Sequence, residues 1–100
     1  MYLPKGTEFI VPKTGNKKYT ALVPISGKIK RVSFGDRRYE HYEDRVPVHM
    51  GGGEWKHLNH LDKDRRRDYR NRHKNVLKGD GTPAYKTKYT PAFFSWYFLW

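Results

Sequence analysis

A chain of 100 residues, 36% hydrophobic and 31% charged, has room for one modest core and no second domain. Its 21 Lys and Arg outnumber 10 Asp and Glu, so the formal charge of +11 draws it toward something acidic: nucleic acid, an anionic membrane surface or an acidic protein face. The absence of cysteine excludes disulfide frameworks and thiolate metal sites, and no apolar run reaches the roughly 20 residues that span a bilayer.

The opening stretch MYLPKGTEF lacks the apolar h-region of a secretory signal, so a soluble protein made inside the cell is expected. Residues 1–16 read as an extended N-terminal arm with room for one short edge strand at Phe9 to Val11, because prolines are tolerated at edges. Residues 17–100 read as a single small α+β domain. Within 17–34, Tyr19, Ala21 and Val23 alternate with Thr20 and Leu22, and Ile-Ser-Gly-Lys turns the chain. Lys30, Val32 and Phe34 then share one side, with Ile29, Arg31 and Ser33 on the other. Period-two alternation around a glycine-containing turn predicts a β-hairpin, or a three-stranded antiparallel sheet if the arm joins it. An isolated hairpin is barely stable in water and must lean on another element.

Gly35 marks a turn, followed by Tyr39 and Tyr42. Residues 43–57 read as a loop insertion, and the triplet in MGGGEW predicts a flexible surface loop. The triplet lacks the Gly-Lys-Ser/Thr ending of a phosphate loop. A basic helix is expected within 57–78, capped by Asn59 or Asp62, with a thin apolar stripe at Leu58, Leu61, Arg65, Tyr69 and Val76. Asn75, Gly79 and Gly81 end it. Thr90 as N-cap and Pro91 at the first helical position announce a second helix. Its AFFSWYFLW is apolar on nearly every side, which predicts burial.

Between residues 56 and 78 there are nine Lys and Arg against three Asp. Arg65, Arg66, Arg67, Arg70, Arg72 and Lys74 cannot share one face, because consecutive helical residues point about 100° apart. Three readings stay open for this cluster. It is a solvated helix with pairs such as Asp64–Arg67 and Asp68–Arg72, a contact for an acidic protein, or a contact for nucleic acid. Glu54, His57 and His60, with His49, have helical spacing for a metal, but the His-Glu-x-x-His order is missing, so no metal and no cofactor are expected. Ser26, Ser33 and Ser95 sit in no nucleophile elbow, and Asp36, Glu40, Glu43 and Asp44 lie among arginines as ion-pair partners. An enzyme and a small-molecule substrate are therefore not expected. Six of the 16 aromatics fall in the last eleven residues, apart from the basic helix, which favours a core or protein interface over a stacking groove. Phe93, Phe94, Trp96, Tyr97, Phe98, Leu99 and Trp100 are the candidate anchor.

The order SFGDRRYEHY, LDKDRRRDYRNRH, TPAFFSWYFLW resembles a family of small basic proteins of large double-stranded DNA viruses and some phages. Its members carry Phe-Gly and a Tyr-x-x-Tyr/Phe pair, then an acidic-basic helix ending Tyr-x-x-Arg-His, then a terminal Ser-x-x-x-Leu-Trp. The corresponding positions are Phe34, Gly35, Tyr39, Tyr42, Asp62, Arg66, Tyr69, Arg72, His73, Ser95, Leu99 and Trp100. The likeness covers roughly 17–100. It departs at the longer 43–57 segment, and at Trp96, where the family commonly has a basic residue.

The resemblance implies a structural virion component: a minor capsid protein lining or cementing the inner face of a large icosahedral shell. Its implied partners are the major capsid protein and other minor capsid proteins, with DNA contact possible. The alternative is a basic nucleic-acid-binding protein that packages or condenses viral DNA.

Overall fold

The alternation in 19–34 folds as expected, and its turn explains the register. In the computed structural model, which describes residues 3–100, β2 (Tyr19–Ile25) and β3 (Lys28–Phe34) pair antiparallel with Ile25 opposite Lys28. Ser26 and Gly27 form the two-residue loop at φ 51° and 76°, left-handed values whose twist matches that of the flanking strands. This register puts Tyr19, Ala21, Val23, Val32 and Phe34 on one buried face.

The segment read as an arm supplies β1 (Glu8–Ile10), which pairs with Thr20–Leu22 and completes a β1-β2-β3 antiparallel sheet. Phe9 lies opposite Ala21 and is buried. The short β1 also explains Pro24 in the central strand. Among the described residues no strand lies on that side beyond Leu22, so the missing N–H interrupts no ladder there.

Two helices follow, α1 (Lys63–His73) and α2 (Pro91–Phe98), linked by irregular chain with short 3-10 turns. The Thr90 side chain accepts from the Phe93 N–H, and Pro91 opens α2, as the sequence predicts. Helix α2 packs on β3 over the core face of the sheet. Phe94 stacks on Phe34 at 5.2 Å, and Phe9 meets Tyr19, Phe34, Phe94 and Phe98 at 5.4–6.1 Å. Phe93, Phe94, Trp96, Phe98 and Leu99 are buried by their own chain. Of the other two anchor residues, Trp100 is half-buried and Tyr97 turns outward, 38% exposed.

Two expectations need correction. The glycine triplet is not a free surface loop. A Cβ on Gly51 would stand 2.0 Å from the Phe9 carbonyl oxygen, and one on Gly52 2.0 Å from that of Val46. The glycines let the backbone press against β1 and residue 46, and Asp44 and Val46 of the same segment are buried. The basic helix takes Asp62, the later of its two expected caps, and runs Lys63–His73, but it buries no residue. Leu61 precedes it at φ 55° and is exposed, and Val76 lies beyond it, also exposed, so the anticipated stripe does not form. Among the described residues no helix is long and apolar enough to cross a membrane.

Candidate functional site

The cap of α1 sets the orientation of its arginines. Asp62 accepts from the N–H groups of Asp64 and Arg65, satisfying two of the free donors of the first turn. Arg66 and Arg70, four residues apart, then share the side that faces the tail. Arg66 donates to the Trp100 main-chain oxygen at 2.7 Å, and Arg70 donates to the same oxygen at 3.2 and 3.0 Å. The Arg66 guanidinium also sits over Tyr42 at 4.6 Å, and that of Arg70 over Trp96 at 4.9 Å. The Tyr69 ring lies flat on Trp100 at 4.1 Å, and the His73 ring stacks on Tyr69 at 3.9 Å. Burial pushes the Tyr69 phenol up to about 12.

Two other arginines of the helix face outward and meet acids. Arg65 pairs with Glu40 at 3.0 Å, and Arg67 with Asp64 at 3.1 Å and Asp68 at 3.6 Å. The anticipated Asp68–Arg72 pair is therefore replaced by one with Arg67. Exposed pairs of this kind contribute about 0–1 kcal/mol each. Arg72 and Lys74 are exposed and carry no ion pair among the described residues. The cluster thus divides by role: Arg66 and Arg70 hold the fold, Arg65 and Arg67 are partly neutralised, and Arg72 and Lys74 face solvent.

At the start of the central strand lies a polar frame that the sequence did not flag. Lys18, 1% exposed, donates to the Tyr39 carbonyl at 2.8 Å and lies 2.7 Å from Nδ1 of His41. Nε2 of His41 meets Oδ1 of Asn59 at 2.7 Å, and that oxygen also accepts from the Asp44 N–H. Asp44 accepts from the Tyr19 hydroxyl at 2.6 Å and from the N–H groups of Val46 and Trp55. Asp44 was expected to pair with an arginine. It binds a phenol and backbone donors instead, which hold residues 44–55 against β2. Asp36 and Glu40 do pair with arginines, Arg38 and Arg65.

Burial pushes Lys18 down to about 8, opposed by the charges of Asp36 and Asp44. Burial, helped by the nearby Lys18, pushes His41 down to about 4. Burial and the hydrogen bond to Asp44 hold the Tyr19 phenol well above its ordinary range. No local pattern marks these residues, since Lys18 precedes the strand and His41, Asp44 and Asn59 lie in irregular chain.

The histidines scatter. The Nδ1 of His60 accepts from the Asp62 N–H, while the His57 ring lies against Trp55. Among the described residues no group of three or more His, Asp or Glu converges on a metal position. Ser33 is bonded to Thr20 at 2.8 Å. A cleft of about 290 Å³ lies between Lys17, Asp36 and Glu40 on one side and Tyr69, Ser95 and Trp100 on the other. A second, of about 550 Å³, lies between residues 3–8 and 47–50. Compared with family models, curated proteins and solved structures, the chain matches none.

Proposed function

We propose that the protein is a structural component of the shell of a large DNA virus, a minor capsid protein that binds neighbouring shell proteins at the inner face. The observation that carries the reading is the fate of the tail. Its aromatics are enclosed by the chain itself and strapped down by Arg66 and Arg70, leaving a small block with a basic exterior. The landmark residues of the family resemblance also meet in space. Gly35 lies so close to Leu99 that a Cβ would stand 2.9 Å from its Cδ1, Arg66 covers Tyr42, and Tyr69 covers Trp100. These landmarks support an architecture, so contact with partners falls to the charged surface outside them. Presenting ready-made surfaces without refolding suits a protein that cements neighbours, because little ordering entropy is lost on binding.

A second reading, a DNA-packaging protein, draws on the exposed Arg72 and Lys74 and on the overall charge. Gentle opening of purified particles, with mass spectrometry of shell and genome fractions, tests the first reading. The chain is expected with the shell, and recovery with the genome overturns the proposal. A salt titration tests the second. Contact with 6–10 phosphates lowers DNA affinity about 10³ to 10⁵-fold between 50 and 200 mM salt. Negligible DNA affinity at about 50 mM salt removes that reading.

A further inference from the structure

At the free edge of the sheet, β3 exposes a run of cationic side chains. The strand order leaves β3 at one edge, with β2 its sole strand neighbour among the described residues. Over Lys28, Ile29, Lys30 and Arg31 every side chain is exposed; three are cationic and none is acidic. Ile29 is 58% exposed. Glu8, the carboxylate in the same cross-strand row as Arg31, is separated from it by Leu22.

The turn decides which backbone groups point outward. Ile25 and Lys28 flank a two-residue turn and exchange hydrogen bonds, and bonded and non-bonded pairs alternate from there. Pro24, opposite Ile29, confirms the phase, since a residue without an N–H cannot form a fully bonded pair. The N–H and C=O groups of Ile29 and Arg31 therefore face away from β2, toward solvent. Their side chains lie on the outer face of the sheet, and those of Lys28 and Lys30 on the opposite face.

We infer that this edge accepts an extended acidic segment of another polypeptide as a fourth strand. Main-chain bonds to Ile29 and Arg31 give such a strand its register, and alternate side chains give it specificity. Acids on one face meet Lys28 and Lys30, and an apolar residue on the other meets Ile29. A second copy of the chain is the wrong occupant. Antiparallel β3–β3 pairing sets Lys and Arg against Lys and Arg, and directly opposed like charges destabilise a strand pair. Nucleic acid satisfies the charges but offers no strand to the outward amides. The inference stands apart from the shell reading, because it follows from strand order, register and charge alone.

The test uses the full chain, labelled for amide exchange, with a capped peptide of about ten residues alternating glutamate and valine. Its lysine–valine counterpart and a short DNA duplex serve as competing probes. The glutamate peptide is expected to slow exchange at Ile29 and Arg31 by about tenfold or more. The double variant Lys30→Glu, Arg31→Glu is expected to lose about tenfold or more in affinity for it and to favour the lysine peptide. Ile29→Pro removes an outward N–H while leaving the charges and the β2 ladder, and it too is expected to abolish protection at Arg31. Circular dichroism checks that the variants fold. No protection at millimolar peptide, undiminished binding by Ile29→Pro, or protection by the duplex in place of the peptide overturns the inference.

Discussion

The ammonium of Lys18 lies 2.7 Å from Nδ1 of His41, and both side chains are sealed from solvent. A protonated lysine only donates, so Nδ1 accepts and the proton of the neutral imidazole sits on Nε2, directed at Oδ1 of Asn59. Asp44, two hydrogen bonds further along, supplies the compensating negative charge. One cation and one anion are thus buried in a single frame without touching. This arrangement makes stability depend on pH at both ends of the scale.

On the acid side, His41 is held at about 4 against an ordinary 6.5. A group with a depressed pKa binds protons more readily when unfolded, so its contribution is full above 6.5 and is lost as pH falls toward 4. At about 1.4 kcal/mol per pKa unit the loss reaches about 3 kcal/mol. Urea unfolding at pH 7, 5.5 and 4 measures it. His41→Gln is expected to flatten that part of the profile.

On the alkaline side, Lys18 is held at about 8 against 10.5. The unfolded chain again keeps its proton longer, so stability rises with pH between about 8 and 10.5. Above about 10 the raised Tyr19 phenol opposes this, since the unfolded tyrosine ionises first. A stability maximum on the alkaline side of neutrality is expected. Lys18→Met is expected to remove the rise.

The tail separates core from surface within a few residues. Phe94 is fully buried against Phe9 and Phe34, and Tyr97 is partly exposed. Phe94→Ala is expected to cost about 3–5 kcal/mol, a large share of the stability of a small domain, and Tyr97→Ala much less. Deleting 91–100 is expected to unfold the chain. A truncated chain with a cooperative melt contradicts the packing described.

The glycines offer a backbone test. Gly52→Ala forces a methyl group into the Val46 carbonyl, whereas Gly79 faces open space. Gly52→Ala is expected to destabilise by more than about 2 kcal/mol. Gly79→Ala is expected to change stability by under about 1 kcal/mol. Thermal melts of the two variants decide it.

The division among the arginines is also measurable. Arg66→Ala with Arg70→Ala leaves the part-buried Trp100 oxygen without donors and removes two cation–π contacts, costing about 2–4 kcal/mol. Arg67→Ala with Arg72→Ala is expected to change stability by less than about 1 kcal/mol.

The legible parts of the chain are those whose signals are local. Tyr19, Ala21 and Val23 against Val32 and Phe34 display strand period within one hairpin, and Thr90–Pro91 carries cap chemistry within two residues. Both elements formed where the residues placed them. Arg66 and Arg70 were singled out as contacts, yet their part in holding Trp100 depends on residues some thirty positions away. Lys18 and Asp44 carried no sign of burial, because a charged side chain is buried only when distant groups compensate it.

The sequence by itself determined the sheet, its buried face, the start of the aromatic helix and the surplus of positive charge. Tertiary structure alone decided that the chain's own sheet, rather than a partner, encloses the tail. It also decided which cations bind inward and which strand edge stays open. Periodicity and capping act across a few residues, whereas compensation of a buried charge and coverage of an edge depend on which distant segments meet.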